Sequence, residues 1–377
     1  MIDFPANPTV GQQFTAAGVT WVWDGAKWTA SGLSVAYVPL AGFVPAMNDN
    51  RLINGDMRID QRNAGAGVTP IGGQYVIDRW CAGMTQAGKF TAARYSATVG
   101  GTLPSMGFGY YLGLVSTSAY ALLAGDTFNV RQPIEADFCA DFGWGTPNAQ
   151  PVTLSFIIVS STLTGTFGGA ISNSSTGAAT RSYPFTFSIP VASTWTKIVV
   201  TIPGDSLASS TNWVLQGSGV GVCLWLGLGA GSAFSAPAGA WANGDFRSAN
   251  GAVSVVSTNG ASISFTGVKL EIGSVATPFN RQSLAKSMAD CQRYYQTGQV
   301  AFGNFNGIAG AGSYASANFQ TVMRAAPTIT TGATNSTNFT LTSWAQNLGF
   351  TGVTAVGTVI AAGAYNINFG FTASAEL

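Results

Sequence analysis

Over most of its length this chain repeats one pattern: short β-type runs set between clusters of Gly, Ser, Thr, Asn and Pro. Residues 152–160, 185–189, 196–202, 220–228 and 262–270 are each apolar or alternating and of strand length. Strands at this spacing predict a β-sandwich or a jelly roll. The Gly-Ser-Thr stretch 165–179 reads as an exposed loop. One helical period stands out, over 283–297, with Ser283 as its N-cap and Leu284, Met288, Cys291 and Tyr295 on one face. That helix either packs on its own β domain or faces copies of itself around an axis. The fold class is therefore all-β with one short helix.

Charged residues make up 8% of the chain, against about 25% in soluble domains. Disorder does not follow, because 10 Trp, 11 Tyr and 23 Phe supply large buried area. A surface of uncharged polar groups suits a packed homo-oligomer or contact with neutral sugars. A net charge of +1 with no basic cluster argues against nucleic acid as a partner. The absence of His excludes His-based zinc sites and triads. Cys81, Cys139, Cys223 and Cys291 are widely spaced, without CxxC, and read as buried small hydrophobes. Neither a signal-peptide pattern at the start nor an apolar run of about 18 residues is visible, so insertion in a membrane is not expected.

The chain divides into residues 1–45, 46–282, 283–297 and 298–377. In the first part, Val19-Thr20-Trp21-Val22-Trp23 and Lys27-Trp28-Thr29 flank Asp24-Gly25 as a hairpin, followed by a linker over 31–45. Two strands alone are marginal in water, so this hairpin needs a partner. Residues 46–282 form one large β domain, and 283–297 the helix and linker. The last part, 298–377, contains two charged side chains, Arg324 and Glu376, and ends in a strand that alternates over 364–371. Edges so poor in charge invite association with sister chains.

Four segments resemble phage tail-fibre and head-fibre proteins. The first is Phe4-Pro5-Ala6-Asn7-Pro8-Thr9-Val10-Gly11-Gln12 with Trp21-Val22-Trp23-Asp24-Gly25-Ala26-Lys27-Trp28, similar to a small hairpin module of phage structural proteins. The second is Leu52-Ile53-Asn54-Gly55-Asp56-Met57-Arg58-Ile59-Asp60-Gln61-Arg62, leading to Tyr75-Val76-Ile77-Asp78-Arg79-Trp80. It is similar to the opening of a jelly roll related to carbohydrate-binding modules. The third runs from Val268-Lys269-Leu270-Glu271-Ile272-Gly273-Ser274 through Ala276-Thr277-Pro278-Phe279 to Cys291-Gln292-Arg293-Tyr294-Tyr295, and resembles the end of that jelly roll and its linker. The fourth, Met323-Arg324-Ala325-Ala326-Pro327-Thr328 with the terminal Ala375-Glu376-Leu377, looks like a C-terminal β domain of such fibres. The resemblance implies a homotrimer on the outer surface of a virion, as a tail or head appendage, made in the host cytoplasm. It also implies that residues 1–45 attach the chain to other virion proteins.

No catalytic constellation and no cofactor site is visible. The densest acidic cluster, Glu135-x-Asp137-x-x-x-Asp141, reads as turn and surface carboxylates rather than a glycosidase pair. Asp78-Arg79-Trp80 reads as a structural ion pair packing on the core. Asn54, Asp56 and Glu271 are the positions at which a sugar-binding jelly roll would hold calcium, but Lys269 at the matching end weighs against a metal. Sugar recognition pairs an accessible aromatic face with amides or carboxylates. Two loops fit that description, with Asp141, Trp144 and Asn148 on one and Trp241, Asn243 and Asp245 on the other. Gly143 and Gly145 are expected to leave the Trp144 ring accessible. Tyr110, Tyr111 and Trp213 rank lower, because they fall in expected strands.

The expected function is attachment of a phage or phage-like particle to a host cell-surface polysaccharide without catalysis, by a fibre or spike subunit. The alternatives are a depolymerase spike that cuts the glycan and a purely architectural virion subunit or adaptor.

Overall fold

The computed structural model describes residues 4–16, 19–30, 50–173, 180–206, 213–346 and 350–377. The chain divides into two compact units, residues 1–48 and 49–377. The linker expected over 31–45 lies outside the described residues.

In the first unit the hairpin has a third strand. β1 (Gln13–Ala16) and β2 (Val19–Trp23) pair antiparallel, and β2 pairs with β3 (Trp28–Ala30). Asp24 sets the tight loop by accepting hydrogen bonds at Oδ1 from the Ala26 and Lys27 amides, both at 2.8 Å. Phe4 stacks on Trp28 at 5.4 Å and meets Phe14 and Trp21, giving this small sheet an aromatic core within one chain.

The second unit is nearly all β. Its first part comprises β4 (Tyr75–Ile77), β5 (Trp80–Met84), β6 (Phe90–Ser96), β7 (Tyr110–Ser116), β8 (Thr127–Glu135), β9 (Val152–Ser160), β10 (Gly165–Ser172), β11 (Arg181–Ile189), β12 (Thr196–Ile202), β13 (Val220–Ala230), β14 (Ser235–Ala236), β15 (Ala242–Asn243), β16 (Ser248–Ala249) and β17 (Ser262–Ile272). Two antiparallel sheets, β15-β11-β10-β13-β8-β5-β4 and β12-β9-β17-β7-β6, face each other as a jelly-roll-type sandwich. Alternate residues point inward, so Leu154, Phe156 and Ile158 of β9 meet Leu224, Leu226 and Leu228 of β13 in one core. Trp80 is fully buried against Phe265 at 5.3 Å.

The stretch expected as a loop over 165–179 is, through residue 172, the inner strand β10. Its glycines are there for close packing. A Cβ on Gly169 would lie 2.4 Å from the Trp225 carbonyl oxygen, so only glycine admits the neighbouring strand. Residues 174–179 lie outside the described residues.

A short helix α1 (Thr102–Ser105) sits in the β6–β7 connection, and α2 (Leu284–Gln292) follows the sandwich. The Ser283 cap is as expected, its Oγ accepting from the Lys286 amide at 3.2 Å. The helix is shorter than the 283–297 expected, because Tyr295 already opens a strand. Ser287 and Cys291 are buried, whereas Leu284 is 56% exposed.

The C-terminal part folds as two three-stranded sheets around a second core. Its strands are β18 (Tyr295–Gly307), β19 (Gly312–Asn318), β20 (Thr328–Thr334), β21 (Phe339–Gln346), β22 (Gly352–Val359) and β23 (Gly363–Ser374), ordered β18-β23-β20 and β19-β22-β21. Tyr365, Ile367, Phe369 and Phe371 are buried on alternate positions of β23, as the alternation predicts.

The two cores meet through polar groups. Arg79 is not paired with its neighbour Asp78. It is buried against Glu376, donates to the Pro133 carbonyl at 2.6 Å and lies 3.6 Å over the Tyr294 ring. Asp78 accepts instead from the backbone and side chain of Gln61, both at 2.6 Å. Arg62 also pairs with Glu376 at 2.5 Å, Tyr75 donates to the Leu377 carbonyl at 2.9 Å, and Arg324 donates to the carbonyls of Ala375 and Glu376. The end of the chain is thus clamped against the sandwich.

Candidate functional site

The five-stranded sheet has one face in the core and one outside, and the outer face is unusually aromatic. Tyr95 of β6 and Tyr111 of β7 are cross-strand partners whose rings stack at 5.4 Å and 21°. The Tyr95 ring packs against Gly113, where a Cβ would be 2.7 Å from it, so the missing side chain makes room for the ring. Trp195, just before β12, meets Tyr111 edge-on at 5.4 Å. Tyr95 is 43% exposed, and Tyr111 and Trp195 are half-buried. Burial, and then the neighbouring Tyr95, raises the Tyr111 phenol above its ordinary range, so it keeps its proton at neutral pH.

Beside this belt lies a groove of about 460 Å³. Ser155, Ile157 and Gly267 line its floor, Met106 to Phe108 one wall and Thr277 to Phe279 the other. Phe108 and Phe279 meet edge-to-face at 5.3 Å. Lys197 and Arg281 complete the lining. The second wall is fixed to the sheet from below. Lys269 and Glu271, both buried on the outer face of β17, form an ion pair at 3.0 Å. Thr277 donates through its amide (2.9 Å) and its hydroxyl (2.6 Å) to Glu271, and Lys269 donates to the Thr277 hydroxyl oxygen and the Pro278 carbonyl. A closed network of this kind holds a wall in place before any ligand arrives.

Of the positions weighed for calcium, the two carboxylates are paired with protein cations and Asn54 is bonded to the backbone of Ile59 and Asp78. Lys269 neutralises Glu271, and Asp56 pairs with Arg58 at 2.7 Å and Arg281 at 3.1 Å. Among the described residues no group of three potential ligands gathers around a metal site.

The six residues singled out from sequence lie elsewhere. Their two loops do converge, with Trp144 and Trp241 meeting at 5.1 Å in a cluster with Trp213 and Tyr183. The expectation of an accessible Trp144 is wrong, because that ring is 2% exposed and its indole N–H donates to the Gln150 carbonyl at 2.8 Å. Gly145 lets the loop close down rather than open, since a Cβ there would be 3.1 Å from Trp213. Trp241 is half-buried and donates to the Pro203 carbonyl. Asn243 accepts from Arg181, which grips Asp205 with two bonds of 2.8 Å. Asp141 pairs with Arg51, and Asp245 pairs with Arg247. Asn148 is exposed, but its neighbouring ring is not available to stack on a ligand. In the acidic cluster, Glu135 is committed to Arg293 and Tyr294, Asp137 to the Gly217 amide and Asp141 to Arg51.

The belt was missed because Tyr111 and Trp195 fall within or beside strands. The available signal was parity. Leu112 and Leu114 point into the core, so Tyr111 must point out.

No family model matches this chain, and no curated protein does. Among solved structures, a protein of Bacteroides thetaiotaomicron described as a candidate sugar-binding protein is similar over 59% of this chain and all of its own, at 12% identity and a TM-score of 0.35. A family 11 carbohydrate-binding module of Clostridium thermocellum, in complex with a mixed-linked tetrasaccharide, is similar over 57% of this chain and all of its own, at 11% identity and 0.25. The CBM22-1 and GH10 modules of a xylanase from the same organism, with bound xylohexaose, match over 54% of this chain and 28% of their own length, at 13% and 0.28. Likenesses this distant carry no argument about what this chain binds.

Proposed function

We propose that this chain is a glycan-binding, non-catalytic subunit of a phage or phage-like particle appendage, acting as a homo-oligomer on the outside of the particle. The observation that carries the binding is the belt of Tyr95, Tyr111 and Trp195 beside a groove whose wall is held by the buried Lys269–Glu271 pair. Sugar C–H faces stack on such rings, and hydroxyls at the rim give direction. Binding without cleavage is favoured by the groove's lining, which includes no carboxylate among the described residues.

Support for the oligomer comes from the C-terminal part. Phe302, Phe305, Ile308, Tyr314 and Ile360 are all at least 45% exposed there. Strand β18 is a long edge without a charged side chain, and both charges of 298–377 are committed to the clamp. An edge and patch of this kind are ordinarily covered. The placement on a virion, and attachment through residues 1–45, rest on the four resembling segments.

Binding of the purified protein to immobilised polysaccharides, compared with Trp195→Ala and Tyr95→Ala, tests the site. Loss of binding in both variants with unchanged thermal unfolding supports it, and full retention removes it. Release of oligosaccharides from the bound glycan would make the protein a depolymerase. Light scattering tests the assembly: a mass of three chains supports the trimer, and a monomer sinks it.

A further inference from the structure

The chain is nearly free of charge, so a local excess of one sign carries information. The groove's lining holds two cations, Lys197 and Arg281, and no carboxylate among the described residues. Lys197 projects from the edge strand β12 beside Ile157 of the floor. It is exposed and makes no ion pair among the described residues. Arg281 lies 5.2 Å over the Phe108 ring and donates to the Gly107 carbonyl, which holds its guanidinium at the rim. The carboxylates nearby cancel this pair of charges only in part. Glu271 is neutralised by Lys269, and Asp56 is shared between Arg58 and Arg281. The Phe279 ring and Ser155 line the same groove.

We infer that this groove binds a carboxylate-bearing sugar, a uronic-acid unit of an acidic polysaccharide, with its carboxylate at Lys197 and Arg281 and its ring face on Phe279. The inference rests on the glycan-binding reading of the same site and adds the charge of the ligand. A sugar carboxylate supplies, through charge-assisted hydrogen bonds, the counter-charge that Arg281 only shares with Arg58 and that Lys197 lacks among the described residues, whereas a neutral sugar does not. A glycan attracted in this way is captured faster at low salt than at high salt.

The test uses the full-length protein on paired probes: polygalacturonate and its methyl ester, alginate and hyaluronan, with dextran, mannan and xylan as neutral glycans. The expected result is binding to one or more acidic probes, weakened by methyl esterification and by raising NaCl to about 0.5 M, near a 4 Å screening length. Lys197→Gln, at an exposed position that leaves folding intact, is expected to weaken it about tenfold. Chondroitin sulfate separates the chemistries, and binding to it alone would assign the cations to sulfate and overturn the uronate. Binding to neutral glycans that is unchanged in Lys197→Gln would overturn the inference and leave the glycan-binding reading standing. Binding to none of the probes by folded protein would remove both.

Discussion

Glu376 lies next to the end of the chain, yet its removal is expected to loosen the whole C-terminal domain. Its carboxylate is 8% exposed and pairs with two guanidinium groups, those of Arg79 and Arg62. Arg79 is 1% exposed, and burial by itself would disfavour its charge. The Glu376 carboxylate and the surrounding phenols outweigh that effect and raise its pKa above the ordinary range. In Glu376→Gln this buried cation loses its counter-charge. Breaking a buried pair from one side costs about 3–5 kcal/mol. Arg79 keeps the Pro133 carbonyl and the Tyr294 ring, worth about 0.5–2 kcal/mol, so the lower end is expected. Arg62, at 15% exposure, adds no more than about 1 kcal/mol. The net expectation is a loss of about 3 kcal/mol.

The assay is hydrogen exchange of the β23 amides, Gly363–Ser374, read by mass spectrometry. This strand pairs with both β18 and β20, so its protection reports the integrity of that sheet. Arg79→Met together with Glu376→Gln should recover most of the loss, because the one cation left without Glu376 is then the more accessible Arg62. A single-variant loss below about 1 kcal/mol, or a double variant no better than the single, would refute the clamp.

Gly113→Ala would place a methyl carbon 2.7 Å from the Tyr95 ring, which is exposed enough to swing away. The variant should fold within about 0.5 kcal/mol of the parent yet bind glycan several-fold more weakly in a titration, and unchanged affinity would count against the belt. All four cysteines are buried and free, and burial pushes Cys223 up to about 12 and Cys139 and Cys291 up as well. Ellman's reagent should therefore react with no thiol in the native protein and with all four after unfolding. Burial also raises the phenols of Tyr75 and Tyr294. A raised folded-state pKa contributes stability that is complete below the unfolded value near 10 and is lost as pH rises through the folded one. Thermal melts should hold their midpoint up to about pH 8.5, where the thiols of the unfolded chain begin to ionise, and fall further beyond about pH 10, with late phenol ionisation visible at 295 nm.

The strands were legible wherever the local pattern and the tertiary demand agreed. Residues 152–160 and 196–202 are strands with those bounds, because one inward row of Leu, Ile, Val and Phe fills the core. The pattern failed at 165–172, where the demand on each residue is smallness. Glycine there admits a carbonyl and a Phe185 ring from adjacent strands, a requirement set by residues far away in sequence. The clamp was opaque for the same reason: Arg79 has Asp78 beside it in the chain, but its partner is Glu376. The strand β1 was missed because Gln13-Phe14-Thr15-Ala16 is too short to show a period on its own.

Ring exposure shows why the accessibility of Trp144 was misjudged. Glycines that flank a tryptophan in sequence free its backbone, and a freed backbone near other rings closes onto them, as Trp144 does onto Trp213 and Trp241. A glycine across the strand acts differently. Gly113 leaves the backbone in a regular ladder and removes only the side chain, so the Tyr95 ring packs beside it and stays 43% exposed. The first arrangement gains burial and rigidifies one end of the sandwich. The second holds an aromatic ring in place without covering it, which is what stacking on a sugar requires. A Tyr on the outward parity of a strand, diagonal to a cross-strand glycine, is therefore the better sequence signal for an exposed ring than a Trp between glycines in a loop.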